Sequence, residues 1–484
     1  MCAAATQEGA EETRLSKAVR PLVDSHPGLS GIFPLREGRD AFAARALLAD
    51  AAERTLDLQY YIWHDDMSGT LLFRAARRAA DRGVRVRLLL DDNNSTGLDA
   101  TIATLSAHPK IEVRLFNPFF HRRWRLIDYF ADFSRLNRRM HNKSFIADGQ
   151  VTIIGGRNVG DEYFEAAHDV LFVDLDVLAV GPVVADVSLD FDRYWKSGSA
   201  CPAETVLAPV SDASRAEVTA AASRAEGEKA AEEYSRAVAA SPFVRDLLAR
   251  ELNFDWAITR MVSDDPAKGL GRAPEKEHLW GRLTRILDAP KTELQLISPY
   301  FVPGAQGIET FAALARDGVK ITVLTNSLEA TDVVAVHAGY AKRRKPLLEC
   351  GVTLFEMKRA SPVPSGKDRG LTGSSGSSLH AKTFSVDRAR VFIGSFNFDP
   401  RSAKLNTELG FVIDSPALAQ AMTEAFAGPV LARAYEVRLA GSGSLEWVER
   451  TSEGETVHRK EPGVSPGRLL AVRVLSWLPI EWLL

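Results

Sequence analysis

The chain of 484 residues has few cysteines, no long apolar run and almost no net charge. Its three cysteines, Cys2, Cys201 and Cys350, lie far apart and form no CxxC motif, which argues against a disulfide framework and a cysteine zinc site. No uncharged apolar run reaches the ~18 residues that a membrane-spanning helix needs. A net charge of −3 provides no basic field, so we expect no nucleic-acid partner.

What the chain does contain is one motif present twice. Each copy has a histidine followed by a lysine two residues on, an aspartate seven on, a glycine fourteen on, an asparagine seventeen on and an acidic residue twenty-eight on. The two copies are offset by 239 residues. Their members are His141, Lys143, Asp148, Gly155, Asn158 and Asp169 in the first copy, and His380, Lys382, Asp387, Gly394, Asn397 and Glu408 in the second. An internal repeat of this kind predicts two similar structural units.

The segments around each copy also match. Strand patterns at 56–63, 84–90 and 111–116 alternate with helix patterns and recur at 292–299, 318–324 and 351–355. We therefore predict an α/β fold with two similar halves, each a mixed, largely parallel sheet flanked by helices. The predicted divisions are a flexible N-terminal arm (1–30), a first half (31–200), a helical connector (201–275), a second half (276–435) and a C-terminal tail (436–484).

Strand geometry separates the members of the motif. His141 and Lys143 are two residues apart and so face the same side of a strand. Asp148-Gly149 is a hairpin turn signal, which places Asp148 roughly 20 Å from His141 at the far end of the hairpin. The returning strand brings Gly156 and Asn158 back beside His141. Asp148 and its counterpart Asp387 are therefore predicted to be structural.

The residues that converge in each copy form a predicted anion site. The lysines supply positive charge, the asparagines supply amide donors, and the backbone at Gly156 and Ser395 can offer N–H groups, which together suit a phosphate. One neutral histidine can then attack phosphorus while the other, protonated, donates to the leaving oxygen. Asp169 and Glu408 are candidates to orient the imidazoles. Two lysines repel a divalent cation, so we expect neither a metal nor another cofactor.

These residues resemble the phospholipase D superfamily, whose signature is His-x-Lys-x4-Asp followed by Gly-Gly/Ser and Asn, in two copies per single chain. The resemblance extends to the C-type bacterial cardiolipin synthases. It covers residues from about 32 to 195, the stretches 60–68, 88–94, 132–143 and 174–177 in particular, and the ending at 478–484.

The resemblance implies a pseudo-dimer with one active site between the halves and a covalent phosphatidyl-histidine intermediate. His141 would be the nucleophile and His380 the general acid and base, with the exchanged roles also open. Lys143, Lys382, Asn158 and Asn397 would bind phosphate, and Asp169 and Glu408 would orient the histidines. The implied reaction joins phosphatidylglycerol to the phosphatidyl group of phosphatidylethanolamine. A hydrolytic phospholipase D, a phosphodiesterase nuclease and an inactive scaffold are the alternatives.

Lipid substrates imply contact with a membrane. The stretch 116–126 mixes aromatic residues with Arg122, Arg123 and Arg125, which suits an anionic headgroup layer. The tail carries Trp477 and Trp482, a residue type that favours the interface, although a tail packed on the core is equally open. The expected location is the cytoplasmic face of a bacterial cytoplasmic membrane, as a peripheral protein. A small accessory protein is a possible partner.

Overall fold

A computed structural model describes residues 12–166, 172–249, 251–359, 378–452 and 454–478. Two large sheets carry the fold, and we call the parts around them the first half and the second half. The strands of the first half are β1 (Ser30–Leu35), β2 (Thr55–Tyr60), β3 (Arg85–Asp91), β4 (Ile111–Phe116), β5 (Ser144–Ala147), β6 (Val151–Gly155), β7 (Phe172–Val173), β8 (Asp176–Val180), β9 (Ala200–Pro202) and β10 (Asp255–Ala257). Its helices are α1 (Arg14–Asp24), α2 (Gly38–Ala51), α3 (Met67–Asp81), α4 (Asp99–Ser106), α5 (Arg125–Ala131), α6 (Phe133–Leu136), α7 (Val183–Trp195), α8 (Asp212–Glu226), α9 (Lys229–Ala239) and α10 (Pro242–Ala249).

The second half follows the same plan. Its strands are β11 (Thr259–Ser263), β12 (Glu293–Ile297), β13 (Lys320–Asn326), β14 (Thr353–Met357), β15 (Ser378–Leu379), β16 (Thr383–Val386), β17 (Arg390–Gly394), β18 (Leu409–Ile413), β19 (Ala434–Leu439), β20 (Leu445–Thr451) and β21 (Gly454–His458). Its helices are α11 (Leu279–Ile286), α12 (Gly304–Arg316), α13 (Val334–Ala341), α14 (Arg344–Glu349), α15 (Pro400–Lys404), α16 (Pro416–Ala427), α17 (Pro429–Arg433) and α18 (Pro466–Trp477).

The two sheets share one strand order at their centres. The first sheet runs β10-β1-β8-β6-β5-β2-β3-β4-β9, and the second runs β11-β18-β17-β16-β12-β13-β14-β19-β20-β21. This confirms an α/β fold with two similar halves. The sheets are mixed as predicted, but the expectation that they are largely parallel is wrong. Within the described strands of the two large sheets, only β2-β3-β4 and β12-β13-β14 pair in parallel, because the motif hairpins and the strands beside them are antiparallel.

A continuous apolar core joins the two halves. Ile154, Val177 and Ala179 of β6 and β8 belong to the same buried cluster as Val391 of β17 and Phe411 of β18. The short strands β7 and β15, one from each half, also pair in parallel. Burial of apolar surface shared by both halves stabilises their association, so the two halves form one packed unit.

Three of the predicted divisions need correction. The segment 1–30 was predicted as a flexible arm, but α1 forms there, capped by the Thr13 side chain and tied by Arg14 to Glu53 at 2.8 Å. The helical connector at 201–275 also contains β10 and β11, which extend one sheet each. The tail at 436–484 contributes most of β19 and all of β20 and β21 to the second sheet, since an unpaired sheet edge is satisfied by adding strands.

The predicted hairpin is confirmed. β5 and β6 pair antiparallel around Asp148 and Gly149, both with positive φ (51° and 63°), as a two-residue turn of this kind requires. Within the described ranges, no helix combines the length and the apolar character that crossing a bilayer requires.

Candidate active site

Each motif histidine is positioned by the end of a neighbouring parallel strand. Asp91, the last residue of β3, accepts a hydrogen bond from the backbone N–H of Met140 (2.7 Å), the residue before His141. Asn326, the last residue of β13, bonds both backbone groups of Leu379, the residue before His380. Because β3 and β13 occupy the same place in their sheets, the two histidines reach equivalent positions.

The histidines are oriented by carboxylates of the opposite half. His141 Nδ1 lies 2.8 Å from Glu408 Oε2, and His380 Nδ1 lies 2.5 Å from Asp174 Oδ2. The backbone repeats the crossing, since His141 N donates to Thr407 O (2.9 Å) and His380 N donates to the carbonyl of Val173 (2.8 Å). Neither half therefore contains a complete pair.

Among the described residues, Asp174 is the carboxylate that His380 contacts, and the prediction named Asp169 for this role. Asp169 lies outside the described residues. A spacing of twenty-eight residues from the histidine does not lead to Asp174, because the first half has five more residues than the second between its histidine and the matched position on β8 or β18. Asp176 pairs with Gly155 as Gly410 pairs with Gly394, so Asp174 and Glu408 both stand two residues before matched positions. Aligning these strands, instead of counting from the histidine, would have identified Asp174.

The two lysines lie buried beside the histidines. Lys143 Nζ donates to the backbone carbonyl of His141 (2.5 Å), and Lys382 Nζ lies 2.9 Å from His380 Nδ1. Burial lowers the pKa of Lys382 to about 8 and holds the pKa of Lys143 well below its usual range. The two lysines are close enough for their positive charges to repel each other. An anion bound between them would therefore stabilise both charges.

Both histidines are neutral at physiological pH in the absence of an anion. Burial, reinforced by Lys143 and Lys382, holds the pKa of His141 well below its usual range. Burial and Lys382 lower the pKa of His380 to about 3. A phosphate bound between the lysines would neutralise the repulsion that disfavours imidazolium, and so make a protonated histidine accessible.

The two pairs differ in charge. Burial raises the pKa of Glu408 to about 7, against the opposing effect of Lys143. Burial acts on Asp174 in the same direction, but His380 and Lys382 outweigh it and hold the pKa of the Asp174 carboxyl below its ordinary value. An ionised Asp174 stabilises a positive charge on His380. The carboxyl of the His141–Glu408 pair therefore carries less negative charge near neutral pH than the carboxyl of the His380–Asp174 pair.

Hydrogen bonding also fixes the tautomer of His141. Its Nδ1 lies 3.1 Å from the carbonyl oxygen of Ser395 as well as beside Glu408. Because a carbonyl oxygen only accepts, Nδ1 carries the hydrogen and Nε2 keeps its lone pair. This tautomer is the one that a nucleophilic imidazole requires.

Gly156 and Ser395 do not offer free backbone N–H groups, contrary to the prediction. The N–H of Gly156 donates to Leu175 O (3.2 Å), and that of Ser395 donates to Leu409 O (2.9 Å). Gly156 instead leaves room for Asp174, whose Oδ1 would lie 2.1 Å from a Cβ at this position. The hydroxyl of Ser395 donates to Glu408. Both residues thus support the carboxylates.

The two asparagines differ in how far their amides are used. Asn158 accepts from Ile62 N (3.2 Å) and donates to the hydroxyl of Tyr163 (3.0 Å). Asn397 is buried, and its Oδ1 has no hydrogen-bond partner among the described residues. Since a flip exchanges the amide oxygen and nitrogen, Asn397 can present N–H donors to a phosphate.

Three tyrosines near the site were not predicted as site residues. The ring of Tyr61 packs edge-to-face against His141 at 4.9 Å, and that of Tyr163 packs likewise against His380 at 5.2 Å. The third tyrosine, Tyr300, lies close enough to Tyr61 and Tyr163 for their charges to affect its pKa, and its hydroxyl donates to Asp332 (2.8 Å). The position of Tyr61 just after a strand that neighbours the motif hairpin was the available signal.

The motif aspartates lie at the far ends of their hairpins, as predicted. Asp148 accepts from the backbone N–H groups of Glu53, Arg54 and Thr55, at distances down to 2.8 Å. Asp387 accepts in the same way from the N–H groups of residues 291, 292 and 293. Each aspartate fixes the start of the central strand of its sheet.

A possible cation site lies elsewhere. His64, Asp66 and Glu162 form the one group among the described residues whose ligand atoms are close enough to hold a metal ion. Asp66 is already used as a helix cap and as an acceptor for Asp161 N. This group does not include the motif histidines.

Anion binding is expected to weaken as pH rises through about 8. The charged form of Lys382 attracts the anion, and this form is lost above its lowered pKa of about 8. The dissociation constant of sulfate, whose charge is constant in this range, should rise about tenfold from pH 7 to pH 9. Binding titrations of sulfate across this range test the expectation. Lys382→Arg, which stays charged, should flatten the profile, and an equally steep profile in that variant would assign the effect to another group.

Comparisons with known proteins identify the family. The family model described as "Cardiolipin synthase, PLD-like domain" matches residues 46–195 and 283–428. The chain is 52% identical over 472 residues to cardiolipin synthase C of Escherichia coli, with 97% of this chain and 100% of that protein covered. It is 26% identical over 407 residues to a cardiolipin synthase of Listeria monocytogenes, covering 83% of this chain and 69% of the relative.

A solved structure shows the same fold at low sequence identity. Phosphatidylserine synthase of Haemophilus influenzae superimposes with a TM-score of 0.56 at 11% identity, covering 97% of this chain and all of the other. The family match spans both halves and both histidine motifs. The chain therefore belongs to the cardiolipin synthase family of phospholipase D-like proteins.

Proposed function

We propose that this chain is a metal-independent phosphatidyltransferase that makes cardiolipin from phosphatidylglycerol and a second phospholipid, phosphatidylethanolamine. The observation that carries the proposal is the pair of crossed histidine–carboxylate contacts beside two buried lysines, in a chain 52% identical to cardiolipin synthase C. Such a site suits a phosphodiester, because the lysines bind its anionic oxygens and the two imidazoles can act on its two sides.

The first stage forms a covalent intermediate. Nε2 of neutral His141 attacks phosphorus, so that an N–P bond forms as the P–O bond to the headgroup breaks. His380, protonated and paired with ionised Asp174, gives its proton to the departing oxygen, which leaves as ethanolamine. Lys143, Lys382 and the amide of Asn397 stabilise the charge on the equatorial oxygens.

The second stage reverses these roles. His380, now neutral, accepts the proton of a phosphatidylglycerol hydroxyl as its oxygen attacks phosphorus. The N–P bond breaks, and cardiolipin leaves with His141 restored. Since water can attack the same intermediate, burial of the histidines favours transfer over hydrolysis. Asp148 and Asp387 take no part in either stage.

The decisive experiment supplies purified protein with vesicles of phosphatidylglycerol and phosphatidylethanolamine labelled in its phosphatidyl group. Labelled cardiolipin and free ethanolamine, formed equally well with EDTA, support the proposal. Phosphatidic acid as the only labelled product would indicate a hydrolytic phospholipase D. Product that appears only after lysate is added would indicate the accessory protein. Loss of product with EDTA would contradict the metal-independent mechanism.

Cellular placement is part of the proposal. A homologue of cardiolipin synthase acts on phospholipids and is therefore associated with membranes. We propose that this enzyme is a peripheral protein on the cytoplasmic face. Cys201 and Cys350 are free, which fits a reducing compartment. Protease protection in inside-out against right-side-out membrane vesicles tests the assignment, and cleavage only in right-side-out vesicles would contradict it.

A further inference from the structure

A short segment of the first half exposes an unusual number of large apolar side chains. Phe130 is 90% exposed and Leu126 is 73% exposed, both on α5. Neighbouring apolar residues are also exposed, namely Phe120, Trp124, Ile127 and Phe133. Single exposed apolar residues are ordinary, but six within fourteen residues mark a surface that contacts something apolar.

The basic residues of this segment point the other way. Arg122 pairs with Asp92 and Asp99, and Arg125 donates to the backbone carbonyl of Asp92 (3.0 Å). The sequence prediction that these arginines contact lipid headgroups is therefore wrong, because they anchor the segment to the loop after β3. Arg123 remains exposed and forms no ion pair or hydrogen bond with a described residue.

The second half exposes an apolar helix face. On α18, Leu470, Val474 and Trp477 are exposed and follow one another at spacings of four and three residues, so they share one side of the helix. Trp477 is 85% exposed. The predicted interfacial residue Trp482 lies outside the described residues.

The opposite side of α18 is anchored after β13. Val472 packs with Leu328 and Ala338, and Arg468 donates to the backbone carbonyl of Thr331 (2.6 Å). The segment after β13 is the counterpart of the one after β3, to which α5 is tied. Each half therefore carries an exposed apolar element that is anchored to the segment after the corresponding strand, β3 in the first half and β13 in the second.

Those strand ends are also where the histidines are positioned. Asp91 of β3 and Asn326 of β13 hold the residues that precede His141 and His380. The two apolar elements thus belong to the edge of the sheets at which the candidate site lies. A hydrogen bond supports this in the first half, where the hydroxyl of Tyr129 on α5 donates to Asn93 Oδ1 (3.0 Å), two residues after Asp91.

We propose that the α5–α6 segment (120–133) and the outer face of α18 together dock on a lipid bilayer, one from each half, and so bring the active-site edge to the membrane. The inference rests on the proposed function for its occupant, since the substrates of a cardiolipin synthase reside in a bilayer. Apolar side chains around one exposed arginine suit insertion at the headgroup boundary of an anionic membrane.

The test measures binding and catalysis separately. Vesicles of phosphatidylglycerol and phosphatidylethanolamine are sedimented with the full chain, with the double variant Leu126→Ser/Phe130→Ser, and with Val474→Ser/Trp477→Ser. We expect each double variant to bind about tenfold more weakly or worse, since burial of a large apolar side chain contributes more than a factor of ten. Leu189→Ser, which alters a 65% exposed leucine on α7, is the matched control and should bind like the wild type.

Short-chain phospholipids below their micelle-forming concentration provide the second measurement. Both double variants should keep wild-type kcat/KM on these monomeric substrates, which supports docking as their role. If the wild type fails on monomeric substrate, the proposed function is in doubt, whereas sedimentation still tests docking. Unchanged vesicle binding by both variants would overturn the inference. So would self-association of the wild type in ultracentrifugation that the variants abolish, because the surface would then bind a second copy of the chain.

Discussion

His141→Ala and His380→Ala should each lower kcat for cardiolipin formation by about 10³-fold or more, with both proteins folded. Removing either imidazole eliminates the nucleophile or the proton donor, and the other cannot supply both functions. The measurement is turnover of labelled phosphatidylethanolamine by each variant. A loss below tenfold in either would show that its histidine does not take part in bond making or proton transfer.

Trapping distinguishes the two roles. A denaturing quench at mildly alkaline pH, which preserves the N–P bond, followed by mass spectrometry of peptides should find the phosphatidyl group on His141. Its Nδ1 hydrogen faces an acceptor and leaves Nε2 free, whereas ionised Asp174 favours His380 as the proton donor. Modified His380 would exchange the two assignments. Asp148→Ala is the control for folding effects. It should reduce the free energy of unfolding by about 2–3 kcal/mol through its unsatisfied N–H groups, but leave kcat within about twofold.

Asp174→Asn should lower kcat by about 10²- to 10⁴-fold, and Asp169→Asn measures whether the residue predicted from the sequence also acts on His380. The amide cannot stabilise the imidazolium of His380, and it favours the wrong tautomer, as in other histidine–carboxylate pairs. KM should change little, since Asp174 does not itself bind substrate. The comparison measures kcat and KM for both variants over pH 6–9.

Glu408→Gln should have a smaller effect than Asp174→Asn. Its carboxyl, with a pKa raised to about 7 by burial, contributes less charge, and the Ser395 carbonyl still orients His141. Asp174→Glu should recover less than full activity because Gly156 leaves room for the shorter side chain only. A large loss in Asp169→Asn with little change in Asp174→Asn would contradict the structural assignment.

Repetition in the sequence was enough to predict the two-half fold and the convergence of His141, Lys143, His380 and Lys382. Period-two geometry was enough to remove Asp148 from the site. These inferences succeed because hydrogen-bonded strands impose fixed spacing and alternation on their residues. The partner of His380 could not be found by the same counting, since insertions in the loop before β8 change spacing without changing the fold.

Other errors arose from partners distant in the sequence. Arg122 and Arg125 lie in a stretch whose composition is typical of a headgroup-binding site. Their contacts with Asp92, the residue after β3, show that they point inward. The N–H groups of Gly156 and Ser395 are used by return strands whose register was not predicted. The edge strand β10 of the connector was missed because a strand of three residues gives a weak periodic signal.

The crossing of the carboxylates has a consequence for how the protein could have arisen and how it can vary. Two identical subunits would give both imidazoles the same environment, and each would have to serve in either capacity. Here one histidine faces an aspartate lodged against a glycine, while the other faces a glutamate held by a serine. Fusion of the halves into one chain makes that asymmetry permanent. A substitution near the first motif is therefore selected through the chemistry of the second, so the two halves must evolve as a single unit.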